Sequence, residues 1–382
     1  MPFSFMISYI LPTHNRPEVL KRTLGALGSL PAHRAEVVVV DNASAVPPPV
    51  PVALANGLPT KLLMLGRNIG TAARNRGVAA ADASSQWIAM LDDDSNPLDL
   101  GFLQAIREAP AEAGAIAAEI ILPGQHTREA GGLPEVFTGC GVAIRRSAWD
   151  QAGVPWNGYD SRFDYYAEEY DLSARLLLHG WRITLDRRFR VAHHKVSAGR
   201  NMDRILHRLV RNNGWVMQRY APPSERRREL WRTARRYGRI AHLEKAEAGY
   251  ARGLAQLLLT LRRQPRSPMN DSLWARFTGL AEARASLQQA HARQPFGSAA
   301  LIAPGKNAHI VIAALAELGV RLVSAGDAEA HVIGTMSPGP ILDAWDSQSA
   351  TGTRVIAPWD SLVTPAVTAP GALRDDALDA AA

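Results

Sequence analysis

The chain has 382 residues, 47% of them hydrophobic and 21% charged, with 43 Lys and Arg against 36 Asp and Glu. That is a globular composition, long enough for about two or three domains, and its formal charge of +7 favours anionic partners without bearing on fold. A lone cysteine, Cys140, excludes an internal disulfide framework, and no segment approaches the ~20 apolar residues that cross a bilayer as a helix.

The first half alternates strand-like and helix-like segments, the pattern of a mostly parallel sheet with covering helices. Met6 to Leu11 predicts a strand ending at Pro12-Thr13-His14-Asn15-Arg16-Pro17, and Pro17 opens a helix to about Leu30. Glu36 to Val40 is a second strand, followed by Asp41 and a proline-rich loop through Pro51. Lys61 to Leu65 is a third, and Arg67-Asn68-Ile69-Gly70 leads into a helix to about Ala81. The run Gln86 to Leu91 is a fourth strand, and it delivers Asp92-Asp93-Asp94.

Past Pro97 a helix precedes a strand from Gly114 to Leu122, and the glycine-rich segment Gly124 to Leu133 carries no feature that reveals an acceptor. Phe137 to Arg145 predicts a strand, Glu168 to His179 a helix, and Trp181 to Leu185 and Phe189 to Ala192 two strands ending at His193-His194-Lys195. From Asn201 arginines interleave with apolar residues at helical spacing, and helices follow from Ser224 to Arg263 and from Asp271 to His291. From Gln294 onward short strands around Ala300, Arg321, His331 and Arg354, with a helix from Ala308 to Leu318, predict a small βαβ-type unit. Its turn Ala303 to Asn307 lacks the glycine pattern of a dinucleotide site, and the tail beyond Thr364 is expected to be loose.

Ligands bind at the carboxyl ends of strands in open α/β sheets. Three adjacent carboxylates there repel one another, which suits a divalent cation with hard oxygen ligands such as Mg2+ or Mn2+. Taken alone, the triplet also reads as an acidic turn capping the next helix. Asp41 at a strand end suits a ribose or a base edge, or a plain Asp-Asn turn. Arg74 near Gly70 suits phosphate at a helix start, or a surface helix.

In order and spacing, the fragments ISYILPTHNRPEVL, VVVVDNAS, LGRNIGTAARNRGVAAA, WIAMLDDDSNP, FTGCGVAIRRSAW, AEEYDLSARLLLHGW and VAHHKVSAG resemble the family 2 glycosyltransferases over about residues 6 to 200. The resemblance implies a GT-A nucleotide-diphospho-sugar transferase fold, a UDP- or dTDP-sugar donor, Mn2+ or Mg2+, and inversion at the anomeric carbon. It places Pro12, Thr13, Asn15 and Asp41 around the nucleotide and Asn68, Gly70, Arg74 and Asn75 near the donor. Asp94 would hold the metal, Asp92 the ribose or the metal's water, and Asp93 would support both. His194 would complete the metal set, with His193 as packing. Glu169 is the expected base, with Glu168 beside it and Asp171 orienting the acceptor.

The division expected is a GT-A catalytic domain over 1–200, a basic amphipathic helical region over 201–296, and a small degenerate Rossmann-like domain with a loose tail over 297–382. The acceptor would be a hydroxyl of a glycan, a lipid-linked molecule or a small secondary metabolite. The start MPFSFMISYI lacks the leader and cleavage site of a signal peptide. A cytoplasmic protein is therefore expected, with peripheral contact at the inner face of a membrane through the basic helices. Those arginines also raise a nucleic-acid-binding alternative, but no nucleic-acid motif accompanies them and no such partner is expected. A sugar nucleotidyltransferase would need an early glycine-rich phosphate loop, which PTHNRPE does not supply.

Overall fold

The computed structural model describes residues 5–195, 201–348 and 354–364. The expected loose tail and the end of the seventh fragment lie outside them. Along the chain come β1 (Met6–Thr13), α1 (Pro17–Ser29), β2 (Ala35–Asp41), β3 (Thr60–Met64), α2 (Ala73–Ala80) and β4 (Ser85–Met90). Every residue of β2 is buried, as expected for a strand covered on both faces. These strands lie in the order β3-β2-β1-β4 and are all parallel, so Thr13, Asp41 and Met90 end along one edge.

Next come β5 (Ser95–Pro97), α3 (Gly101–Glu108), β6 (Ala113–Leu122), β7 (Thr127–Arg128), β8 (Val142–Arg145), α4 (Arg146–Gly153), α5 (Glu168–Leu178) and β9 (Arg182–His193). They extend the sheet as β4-β8-β6-β9-β5, with β8 antiparallel to both its neighbours. Alternate residues of the central strands feed two cores. Tyr9, Val37 and Val39 pack on Leu24, Leu27 and Phe102 on one face. Ile10, Val38 and Val40 pack on Ala73, Trp149 and Leu172 on the other. The close fit of α2 rests on Gly77, where a Cβ would lie 2.6 Å from Ile10 and 2.9 Å from Val40.

Two elements differ from expectation. The two strands read around residues 181–192 are one, because β9 passes a bulge where its register on β6 jumps from Ala118↔Asp186 to Glu119↔Arg190. The strand read from Phe137 begins only at Val142: the Gly141 N–H closes a turn on the Thr138 carbonyl at 3.2 Å. That turn aims the Cys140 carbonyl at the Ser95 hydroxyl, which donates to it at 2.9 Å.

Helices α6 (Met202–Tyr220), α7 (Pro223–Leu243), α8 (Glu247–Thr260), α9 (Asp271–Thr278) and α10 (Leu280–Arg293) follow. Left-handed residues separate them, Lys245 at φ 53° and Gly279 at φ 87°. The last unit comprises β10 (Ser298–Ile302), α11 (Ala308–Glu317), β11 (Arg321–Leu322), β12 (Ala330–Ile333), α12 (Pro338–Gln348), β13 (Val355–Ile356) and α13 (Asp360–Val363). Its strands form a second, wholly parallel sheet in the order β11-β10-β12-β13. One hydrophobic cluster joins Leu177 of α5, Trp215 of α6, Phe277 of α9, Val311 of α11 and Val332 of β12. The helices and the second sheet are thus packed against α5 through this cluster.

The arginines of α6 are not a uniform solvated face. Arg219 is buried: it bonds Asp171 of α5 at 2.7 Å and Asp160 at 2.9 Å. Its guanidinium lies over the rings of Phe163 at 4.8 Å and Trp156 at 5.4 Å. Asn212 donates to the carbonyls of Phe163, Tyr165 and Tyr166, each at 2.8 Å. Asp164, Tyr166 and Ala167 in that loop are left-handed, a conformation that side chains resist, and α6 supplies the hydrogen bonds that hold it.

Candidate functional site

The aspartate triplet sits just past β4, beside the ends of β1 and β2. Asp93 is fully engaged. It accepts from the Thr13 hydroxyl at 2.8 Å and from Arg16 at 2.6 Å, and its carbonyl accepts from Thr23 at 2.6 Å. Burial pushes its carboxyl up to about 6 against the pull of Arg16. Asp94 takes the other arm of Arg16 at 2.7 Å. Burial opposes its charge, but hydrogen bonds from His193 and Arg16 hold its carboxyl near about 2. Asp92 is paired with the buried Arg74. Sequence reasoning missed Arg16 as a site residue, although it holds two of the three acids.

The histidine assignment is corrected. His194 is exposed, and only its backbone N–H reaches the site, donating to the Asp94 carbonyl at 2.8 Å. His193 instead turns its Nε2 to Asp94 Oδ1 at 3.4 Å. The cause is strand alternation: His193 pairs with Ser95 between β9 and β5, so it faces the acids and its neighbour does not. Its Nδ1 meets Glu129 at 3.1 Å, and Glu129 also binds Lys195 at 2.7 Å. Burial alone would lower the His193 imidazolium, yet Asp94, Cys140 and Glu129 outweigh it and raise it to about 12.

Asp92, Cys140 and His193 each offer a ligand atom within 4.8 Å of the others. Cys140 is the poor member of that set, because burial pushes its thiol up to about 11 and sulfur suits softer metals. Asp92 and the His193 imidazole, once it gives up its proton, are oxygen and nitrogen donors of the kind a divalent cation takes, and Asp94 Oδ1 stands 3.4 Å from His193 Nε2. Glu129 behind His193 is the carboxylate that typically orients a metal-bound imidazole.

Among the remaining expected residues, Pro12 lies one residue before the end of β1, and Asp41 accepts from the Ser44 N–H at 3.2 Å, so its carboxylate stays at the sheet edge. Asn15, left-handed at φ 55°, accepts from the Ala45 N–H at 2.8 Å and so braces the loop after Asp41. Asn42 accepts from Ile69 N–H at 2.8 Å and donates to the Gly70 carbonyl at 3.0 Å, tying β2 to the segment before α2. Asn68 accepts from the Gly70 N–H at 2.9 Å. Gly70 at φ 64° leaves room for the carbonyl of Asp164, which a Cβ would overlap. Asn75 is not free to meet a ligand: it donates to the Tyr159 carbonyl at 2.8 Å and accepts from the Tyr159 N–H at 2.9 Å.

Glu168 and Glu169 open α5. Glu169 is half-buried, and a Cβ on Gly139 would lie 3.2 Å from its Oε1. A helix N-terminus ordinarily lowers a carboxyl pKa. Here burial raises Glu169, and burial with repulsion from Glu169 raises Glu168 well above the usual range. Glu168 Oε2 is buried with no hydrogen-bond partner among the described residues. Asp171 is corrected from acceptor contact to a structural role. It is completely buried, and its oxygens are taken by Arg219 at 2.7 Å, Tyr220 at 2.6 Å and Arg175 at 3.0 Å. Arg74 stands between the two acid sets, with Asp92, Glu168 and Glu169 all acting on its guanidinium.

Residues 8–148 match the glycosyl transferase family 2 profile. The succinoglycan biosynthesis protein ExoO of Rhizobium meliloti is 31% identical over 114 residues, 30% of this chain and 32% of that protein. The chain thus spans about a third of the length of the curated relative it matches. Among solved structures, S. aureus TarS 1–349 aligns with 14% identity over 76% of this chain and 88% of that one, at a TM-score of 0.47. The mannosyltransferase PcManGT from Pyrobaculum calidifontis, solved with GDP-Man and Mn2+, aligns with 15% identity over 83% and 90%, at 0.43. Over residues 8–148, the stretch that holds the strand-end acids, the chain is thus similar to the glycosyl transferase family 2 domain.

Proposed function

We propose that the protein is an inverting glycosyltransferase that moves a sugar from a nucleotide-diphosphate donor, a UDP- or dTDP-sugar, to an acceptor hydroxyl. The observation that carries this reading is the meeting of two acid sets across Arg74. Asp92 lies on the strand-end side and Glu169 on the α5 side, close enough that each acts on the guanidinium and Asp92 raises Glu169. Asp41, Thr13, Asn15 and Asn68 border the same edge and would receive the nucleotide.

Glu169 takes the proton from the attacking hydroxyl. Its raised pKa makes it a stronger base than a free carboxylate, as general-base catalysis near neutral pH requires. Glu168 shares that proton load, since two adjacent carboxylates resist carrying two charges. Arg74 sets positive charge beside the departing diphosphate. A divalent cation, Mn2+ or Mg2+, held by Asp92, Asp94 and His193 would supply Lewis-acid stabilisation of that leaving group. The biosynthetic role in the name of the ExoO relative supports a glycan or lipid-linked acceptor over a small metabolite. Among the described residues no helix is long and apolar enough to cross a membrane, and contact with a membrane surface through exposed arginines of α7 is part of this proposal.

A thermal-shift screen of nucleotide-diphosphate sugars with and without Mn2+ tests the reading. A donor should stabilise the protein, lose that effect in Asp94→Ala, and keep it in Glu169→Gln while transfer is abolished. Absence of stabilisation by every donor would sink the enzyme reading, and transfer by Glu169→Gln would move the base elsewhere.

A further inference from the structure

Glu169 faces more than the strand-end acids. On its other side opens a cavity of about 920 Å³, walled by α5, by α6, α7 and α9, and by the turn before α11. That volume lies in the range of small-molecule sites. Tyr170, Trp274 and Phe277 give it an aromatic wall, suited to the face of a sugar ring or another flat group.

Its charge is one-sided. Lys306 and four arginines of α7, Arg232, Arg235, Arg236 and Arg239, border the space, against the carboxylates of Glu169 and Glu229. Glu229 is already bonded by Arg232 at 2.6 Å. Lys306 has no ion pair among the described residues; its ammonium lies over the Tyr170 ring at 4.8 Å. Arg236 likewise lies over the Tyr237 ring at 5.7 Å, without a carboxylate partner among the described residues. Burial and the neighbouring Arg236 push the Lys306 ammonium down to about 7, and burial beside Arg232 and Arg236 pushes His309 to about 4. Cations gathered in a concavity with fewer carboxylates than charges to balance raise the affinity for an anion. An ordinary solvated basic face would be convex and would not close on a carboxylate.

We propose that this cavity is the acceptor site, and that it grips the acceptor by an anionic group, a phosphate or carboxylate, between Lys306 and Arg236 while a hydroxyl of the same molecule meets Glu169. The inference rests on Glu169 being the base. It gives the helices and the second sheet a shared task, since each contributes a wall that the family-matched segment lacks. The anionic group can arrive on a soluble glycan or on a lipid-linked carrier, and the cavity chemistry is the same for both.

The test measures binding of inorganic phosphate and of glucuronate to the full chain by calorimetry. Metal-free buffer is used, and the comparison with the cavity variants separates binding in the cavity from any binding at the strand-end arginines. Vesicles containing phosphatidylglycerol form a second arm. Affinity for the soluble anions should fall at least about fivefold in Lys306→Met and in Arg236→Met, and recover in Lys306→Arg. Vesicle binding that weakens in the same variants, with no soluble anion bound, would also support the site and assign its anion to a lipid. Anion binding that is absent in both arms, or equal in wild type and variants, overturns the proposal. Donor stabilisation with Mn2+ is measured in parallel. If it persists while the anion result fails, only the acceptor site falls; if it is absent, the transferase reading falls too.

Discussion

Replacing Arg219 with methionine should destabilise the protein by about 3 kcal/mol, and the structure sets that figure. Both ion pairs of Arg219 are buried, with side-chain exposures of 1% for the arginine and 0% for Asp160 and Asp171. Removing one partner of such a pair strands the other charge, at a typical cost of about 3–5 kcal/mol. The carboxylates keep some support here, Asp171 from Arg175 at 3.0 Å and Asp160 from Arg162 at 2.6 Å, which favours the low end. Methionine preserves much of the apolar stem, so the loss is mainly electrostatic. In a urea melt with a slope of about 3 kcal/mol per molar, the midpoint should fall by about 1 M with the slope unchanged. The double variant Asp171→Asn/Arg219→Met should lose less than the sum of its single variants, because the two residues share one interaction. A midpoint within about 0.2 M of wild type would refute the view that α6 is bolted to α5 through this arginine.

Gly139→Ala should lower kcat about tenfold at unchanged donor KM, since its Cβ would displace the Glu169 carboxylate; a kcat equal to wild type would detach Gly139 from the base. The Glu129 carboxyl is held at about 2, below its ordinary 4.5: burial opposes this, but His193 and Lys195 prevail. Its stabilisation is therefore complete above pH 4.5 and fades as pH falls towards 2. Glu129→Gln should flatten the acid-unfolding curve in that window, and an unaltered curve would contradict the pairing. Arg16→Met leaves Asp93 and Asp94 without their shared cation, so Mn2+ should raise its melting temperature more than that of wild type. Equal shifts would mean that Arg16 and the metal do not answer the same charge.

Much of this was legible because parallel strands announce themselves by continuous apolar runs, and the residues after them must gather at one edge. Thr13, Asp41 and Asp92 to Asp94 were placed that way. Side chains that reach the site from a distance left no local trace. Arg16 spans to acids 77 and 78 positions away, and Glu129 arrives in a glycine-rich stretch that the β6–β7 pairing folds back towards His193. The choice between His193 and His194 hinged on the phase of β9, which depends on its pairing with the three-residue β5 that hydrophobicity does not reveal. Asp171 was expected at the acceptor from the family resemblance alone; its partner Arg219 lies 48 positions on, within what read as a basic surface.

Asn212, with its three carbonyl partners, has a wider consequence. The loop it grips leads directly into Glu168 and Glu169, so the position of the carboxylate proposed as base is set by a helix that begins at Met202, well beyond the family-matched stretch. The strand-end acids, by contrast, are held from within residues 8–148 apart from His193. The two reactants are therefore served by parts of the chain that can drift at different rates. On the proposed function, substitutions among the helices would retune which acceptor is taken while donor handling stays as it is, and a fragment cut at residue 200 would keep the strand-end acids yet release the grip on Glu169.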